Sequence, residues 1–277
     1  MAQQMVTNFN GILLFRRDYR ERDMLIKFLT AEYGKKMFFI RGARRRGFKM
    51  AAELLPFTMG EYVGDLRDQG LSYINSVKSV QYLEHISQDI ALNAYATYVM
   101  NLMDVAFPDN QPVGRWYQQL TSALQLIDQD VAPALVANVV EIQLLQPFGV
   151  APELRWCTVC GRSDLPLDYS ESYGGLLCQQ HWHLDPHRLH ASPAAIFYLR
   201  QFSVLDLAKV HSIKVKPRTA AELRRILDEI YQNSVGVRLK SKRFIDQMGS
   251  WYQPLRPGRM RIDKRTTISY DDEELNS

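Results

Sequence analysis

Four side chains with the chemistry of metal ligands fall at a telling spacing. Cys157-Thr-Val-Cys160 is followed, after seventeen residues, by Cys178-Gln-Gln-His181. Zn²⁺ takes four thiolate or imidazole ligands at tetrahedral corners, and a two-residue gap lets both members of a pair point at one ion while the backbone turns around it. Gly161 after the first pair and Gly174-Gly175 before the second supply the tight turns such a knuckle uses. His183 is the alternative fourth ligand; His181 is preferred because its gap repeats that of Cys157 and Cys160. All three cysteines of the chain lie in this set, which leaves none for a disulfide framework. The competing interpretation is three inert buried thiols beside an incidental histidine. Four protein ligands leave no position for water, so the expected Zn²⁺ is structural, holding together a loop too polar to bury itself, by up to ~10 kcal/mol. His187 and His190 have no carboxylate cluster or cysteine near them and are expected on the surface.

The second chemical signal is cationic. Arg41-Gly-Ala-Arg44-Arg45-Arg46-Gly-Phe-Lys49 places five cations in nine residues with no acid among them. Arg16, Arg17, Arg20, Arg22, Lys27, Lys35 and Lys36 belong to the same region. Cations that neutralise a line of phosphates release condensed counterions, and Arg, Phe48, Tyr19 or Tyr33 can stack on unpaired bases. We therefore take Arg16, Arg17, Lys35, Arg41, Arg44, Arg45, Arg46 and Lys49 as candidate polynucleotide contacts, against the plain alternative of a solubilising loop. A later basic set, Lys214, Lys216, Arg218, Arg224, Arg225, Arg238, Lys240, Lys242 and Arg243, is an ordinary solvated face, a second strand-binding surface or a dock for an acidic peptide. Arg224 and Arg225 lie off the apolar stripe of their helix and are expected to be exposed. Gly42 and Gly47 superficially suggest a phosphate-binding P-loop. That motif needs Gly-Lys-Ser/Thr leading into a helix, whereas here Phe48 intervenes and Pro56 follows. No serine elbow, HExxH or carboxylate cluster at helical spacing occurs, so no catalytic residue is assigned.

The elements that must position these groups change character along the chain. Short apolar, β-branched or aromatic runs at 9–15, 24–30, 36–41, 55–63 and 71–77 are separated by turn residues. Five strands in about eighty residues suggest a small closed or nearly closed barrel, and an SH3-like barrel or a sandwich fits the same pattern. From Gln81 the apolar period becomes helical, with helices expected at 90–105, 115–128, 131–148, 192–207, 219–232 and 240–251. Pro133 falls early in the third of these, where proline is tolerated. The expected organisation is a domain at 1–80, a helical domain at 81–252 interrupted by a Cys/Gly/Tyr-rich insert at 153–182, and a flexible tail at 253–277.

Charge is segregated along this plan. Residues 1–80 carry 14 Lys/Arg against 8 Asp/Glu, residues 81–150 carry 1 against 7, and residues 188–265 carry 17 against 6. Two basic segments thus flank an acidic middle, which concerns partners rather than fold. No apolar run approaches the roughly 18 to 20 residues of a membrane helix, and the N-terminus lacks a signal-peptide pattern, so a cytoplasmic protein without membrane contact is expected.

The residues also carry a likeness. Gly11-Ile-Leu-Leu-Phe-Arg-Arg-Asp-Tyr-Arg-Glu21-Arg-Asp23, Leu29-Thr30-Ala-Glu-Tyr-Gly34-Lys35 and Arg41-Gly42-Ala43-Arg44-Arg45 resemble the N-terminal domain of the bacterial recombination protein RecO family. Leu144-Leu145-Gln-Pro-Phe-Gly149-Val-Ala-Pro152, Cys157-x-x-Cys160-Gly161 and Gly174-Gly175-Leu-Leu-Cys178 resemble that family's C-terminal domain. The matches run over about residues 9–250, and their order and spacing are more specific than any single piece. The resemblance implies an α+β multidomain chain, an N-terminal OB-fold β-barrel followed by an α-helical domain with an inserted zinc knuckle. It further implies a non-enzymatic recombination mediator that binds single- and double-stranded DNA and anneals complementary strands. With RecR, and in some settings RecF, such proteins help place RecA on strands coated by single-strand-binding protein (SSB), whose acidic C-terminal tail the later cations would meet. The setting implied is the bacterial cytoplasm, at the nucleoid. His181, or less readily His183, stands where the family has a fourth cysteine, an exchange Zn²⁺ accepts. A zinc-containing RNA- or transcription-associated module and a protein-interaction scaffold are the alternatives: paired DNA and RNA oligonucleotides separate the first, and a low-salt gel shift the second.

Overall fold

The computed structural model describes residues 5–251 and the pair 267–268. The chain divides into two compact units, one ending at Asp130 and one beginning at Val131.

In the first unit five antiparallel strands form one sheet: β1 (Met5–Tyr19), β2 (Asp23–Thr30), β3 (Gly34–Ile40), β4 (Thr58–Leu66) and β5 (Tyr73–Tyr82), in the order β3-β2-β1-β4-β5. Phe9, Phe28, Phe38 and Tyr62 face inward and pack ring against ring, Phe9 stacked on Phe38 at 5.2 Å and Phe28 edge-on to Tyr62 at 4.8 Å. Register shifts on β1 and β5 help the sheet curl around this core. The curl brings the start of β5 to β3, where Phe39 N–H donates to Ser72 O and Ser72 N–H donates to Met37 O. That contact is a single bridge rather than a ladder. The architecture is therefore OB-like, with a sheet that is not closed.

The fourth strand starts at Thr58 rather than at Leu55. Pro56 has no amide to donate and Phe57 adopts φ +62°, so 41–57 remains a run of turns, with Leu54 plugging the core. Helices α1 (Glu84–Gln88), α2 (Ile90–Ala106) and α3 (Arg115–Asp128) complete this unit. Asp89 caps α2 by accepting from Ala91 N–H and Leu92 N–H.

The second unit is built on α4 (Pro133–Leu144), every residue of which from Leu135 onward is buried. It ends before the expected Phe148, because Pro147 interrupts the amide ladder and the chain turns through Gly149. A three-stranded sheet of β6 (Glu153–Cys157), β7 (Leu167–Ser170) and β8 (Gly175–Cys178) follows, ordered β6-β8-β7. Helices α5 (Pro193–Val204) and α6 (Pro217–Ile230) pack on α4, and α7 (Lys240–Trp251) comes last. The expected tail at 253–277 lies outside the described residues except for Thr267–Ile268 (β10), which pairs with Ser212–Ile213 (β9).

Candidate metal centre and nucleic-acid interface

β6 and β8 run parallel and deliver Cys157 and Cys178 from the ends of adjacent strands. Beyond Cys157 the chain folds back on itself: Gly161 N–H donates to Cys157 O at 2.8 Å and Cys157 N–H to Arg162 O at 2.8 Å. Gly161 sits at φ +72°, a conformation an L side chain rarely adopts, and this turn aims Cys160 back toward Cys157. A 3-10 turn over 179–184 presents His181, anchored by Trp182 Nε1–H donating to Leu177 O. The three Sγ atoms and a His181 ring nitrogen all lie within 4.8 Å of one another. Cys160 Sγ is 3.7 Å from Cys178 Sγ, and His181 Nδ1 is 3.2 Å from Cys178 Sγ and 3.6 Å from Cys157 Sγ. Metal–sulfur bonds of tetrahedral Zn²⁺ imply an edge of about 3.8 Å, so the spacing suits one small cation. Of the two candidate histidines, His181 is the one within this cluster.

The thiols are electrostatically primed. Burial pushes Cys157 up, but hydrogen bonds from backbone amides, including those of Cys178, Cys160 and Val159, outweigh it and bring the thiol down to about 6. Cys178 moves the other way, raised by burial and by its neighbouring thiols. A divalent cation held by the set would favour the thiolate form of the cysteines. Just after the 3-10 turn, buried Asp185 accepts from Ser170 Oγ at 2.5 Å and from His187 N–H. Asp168 accepts from Tyr169, His190 and Ala191 amides and pairs with Arg188 at 3.0 Å. His187 and His190 themselves are exposed.

In the first unit, two basic segments far apart in the sequence meet at one end of the sheet. Gly42 N–H donates to Asp23 Oδ1 at 2.8 Å and Arg44 N–H to Arg22 O at 3.1 Å, fastening the 41–49 segment to the β1–β2 turn. Arg16, Arg17, Arg20, Arg22, Arg41, Arg44, Arg45, Arg46 and Lys49 are all exposed there. Arg16 donates to Leu54 O, and Arg44 pairs with Asp18 at 3.3 Å while donating to Glu21 O. Among the described residues none of Arg17, Arg41, Arg45, Arg46 and Lys49 has an ion-pair partner.

Lys35 sits differently. It is 3% exposed, and its ammonium donates to Asp104 O and pairs with the Asp104 and Asp109 carboxylates at 3.0 and 3.1 Å. Lys27 joins the same pair of acids, tying β2 and β3 to α2 and the residues after it. Lys35 is thus spent inside the unit. Nothing local signals this, because Asp104 lies 69 residues away.

Of the later cations, Arg224 is the exception to expected exposure. Its guanidinium reaches Glu141 on α4, which is 0% exposed, in a two-pronged pair at 2.5 and 3.0 Å, and also reaches Asn138 Oδ1. A fully buried carboxylate demands this partner. Arg225 pairs with Glu229, and Lys242 bridges Asp228 and Asp246. Lys214, Lys216, Arg218, Arg238, Lys240 and Arg243 are exposed, and among the described residues Lys214, Arg218, Lys240 and Arg243 have no ion-pair partner.

Comparison with known proteins gives this geometry a lineage. Residues 4–83 match the family model described as Recombination protein O N terminal, and residues 87–243 match Recombination protein O C terminal. A protein named DNA repair protein RecO from Levilactobacillus brevis is 62% identical over 91% of this chain and 97% of its own length. Proteins of the same name from Latilactobacillus sakei and Enterococcus faecalis are 56% and 44% identical, over 91% and 92% of this chain and 92% and 97% of theirs. An OB-like sheet, a helical second part with a Cys₃His cluster, and matches to both halves of the family lead to one assignment: the chain belongs to the recombination protein O family of DNA repair proteins.

Proposed function

We propose that this protein is a non-enzymatic recombination mediator. It binds single- and double-stranded DNA through the cationic end of its OB-like sheet and anneals complementary strands. With RecR it promotes RecA loading on SSB-coated single strands, RecF acting less directly. Its setting is the bacterial cytoplasm, at the nucleoid. The observation that carries this is the fastening of 41–49 to the β1–β2 turn, which joins two basic segments into one exposed surface. A surface of this kind holds polyanions, lowers the repulsion between two strands and leaves base pairing to choose partners. No bond-making residue is needed. Arg16, Arg17, Arg41, Arg44, Arg45, Arg46 and Lys49 are the proposed contacts; Lys35 is left out because its charge is matched internally.

The Cys157, Cys160, Cys178 and His181 set holds Zn²⁺ in this proposal, as a structural ion that fixes the knuckle. The exposed Lys214, Lys216, Arg218, Lys240 and Arg243 are the proposed dock for the acidic SSB tail or a second DNA surface. The deciding experiment is annealing of complementary strands coated with cognate SSB, with and without RecR. Acceleration is expected; no acceleration in either condition defeats the proposal. Changing Arg44, Arg45 and Arg46 together to alanine is expected to weaken binding across sequences and to flatten the slope of log K against log salt by about 0.7 per lost single-strand contact. An unchanged slope removes this loop from the interface.

A further inference from the structure

We infer that Tyr19, Phe39 and Tyr73 form a stacking platform for unpaired bases, beside the cationic surface and distinct from it in what it recognises. The inference rests on the DNA-binding reading above and adds the part of the ligand that phosphate contacts cannot distinguish.

The placement begins with strand alternation. Phe38 and Phe39 are consecutive on β3, so only one of them can face the core. Phe38 is fully buried among the core rings and Phe39 is turned outward. Tyr19 closes β1 and meets Phe39 edge to face, with centroids 6.1 Å apart at 90°. Tyr73 opens β5 and meets Phe39 from the other side, also at 6.1 Å and at 80°. The three rings therefore form a row that crosses from β1 past β3 to β5. Its far half lies over the bridge where Ser72 joins β3. All three are half-buried, so each keeps surface facing solvent. Among the described residues neither tyrosine hydroxyl has a hydrogen-bond partner.

Cations stand at both ends of the row. The Arg20 guanidinium lies 5.2 Å from the Tyr19 ring centroid, and that of Arg67 lies 4.8 Å from the Tyr73 centroid. Arg17 pairs across strands with Leu25, which in turn pairs with Phe39, so the Arg17 side chain leaves the same face. The carboxylates nearby are already engaged: Asp23 accepts from Gly42 N–H, and Asp65 lies 3.9 Å from the Arg67 guanidinium. A half-exposed aromatic row rimmed by Arg matches an unpaired polynucleotide, whose bases offer π-faces and whose phosphates offer charge. A duplex hides its base faces and gains only the second.

The test compares three probes of equal length on the full chain: an oligothymidylate, an abasic sugar–phosphate strand and a duplex. The wild type is expected to prefer the base-bearing strand over the abasic one. Changing Tyr19, Phe39 and Tyr73 to leucine singly keeps apolar volume and removes the ring; each is expected to cut that preference by about 5- to 100-fold, with the salt slope unchanged. Tyr19→Phe and Phe39→Tyr, which keep a ring, are expected to restore it and to control for folding. The Arg44, Arg45 and Arg46 alanine variant is expected to do the opposite, lowering the slope while sparing the preference. Equal binding of base-bearing and abasic strands by the wild type, or leucine variants with an undiminished preference, overturns the platform while leaving DNA binding intact. An oligoglutamate that loses binding in the leucine variants while the base preference holds would reassign the row to an acidic peptide. Failure to bind any polynucleotide at low salt defeats the functional reading itself, and the platform with it.

Discussion

At the scale of single residues, the second unit depends on groups whose charge is set by neighbours. Replacing Cys178 by serine removes a buried ligand, and a three-ligand set holds a divalent ion far less well. We expect the variant to purify with little metal by elemental analysis and to unfold at lower temperature. Stoichiometric metal in the variant would refute the four-ligand set. Asp185 poses a separate electrostatic question, because it is not one of the four clustered residues. Its hydrogen bond from Ser170 and the amide of His187 hold its carboxyl below the usual carboxylate range in spite of burial. A depressed folded-state value means the stabilisation is full above the unfolded-state value and is lost as pH falls through the folded one. Asp185→Asn is therefore expected to cost about 1–3 kcal/mol at neutral pH and to shrink that cost on acidification. Thermal melts across the acid range check it; a pH-independent difference would deny Asp185 the role.

Elements show where sequence was a good guide and where it was not. Helix α3 spans Arg115–Asp128 as its periodicity indicates, because one apolar stripe (Trp116, Leu120, Leu124, Ile127) is buried and the signal is local. The Cys₃His cluster was legible for the same reason, since both residue pairs and the glycines that turn the chain are short-range features. Legibility failed where partners are distant. Lys35 looks like one more cation of a basic domain, yet β3 carries it to Asp104, and Arg224 looks solvent-facing until α4 brings Glu141 beneath it. The outward Phe39 had a local signal in the adjacent Phe38, but its meeting with Tyr73 required the curl of the sheet. The Lys35 contact makes its own prediction. Lys35→Met leaves Asp104 and half-exposed Asp109 with Lys27 as their remaining lysine, and losing the charge-assisted hydrogen bonds of Lys35 is expected to cost about 1–2 kcal/mol. The salt slope of DNA binding should not move. A flatter slope in a variant of normal stability would return Lys35 to the interface.

On the scale of the whole molecule, the charge map asks why one chain carries two sets of exposed cations, one in each unit, on either side in sequence of an acidic stretch from 81 to 150. A single cationic site suffices to hold one strand, since counterion release there already supplies the affinity. Annealing needs a second strand nearby, and a second strand is repelled by the first unless cations meet it too. If the later surface supplies them, replacing Lys214, Arg218, Lys240 and Arg243 together by alanine should separate two activities that the Arg44, Arg45 and Arg46 variant loses together. Binding of one strand should stay within a few-fold of wild type, because the sheet surface is untouched. Annealing of bare complementary strands should slow by about 10-fold or more, with a weaker salt dependence, because the second strand is held by fewer cations. Should annealing of bare strands be normal while stimulation on SSB-coated strands is lost, the later cations serve the acidic tail of SSB instead. Either result assigns that surface, and a variant indistinguishable from wild type in both assays would reduce it to a solvated face.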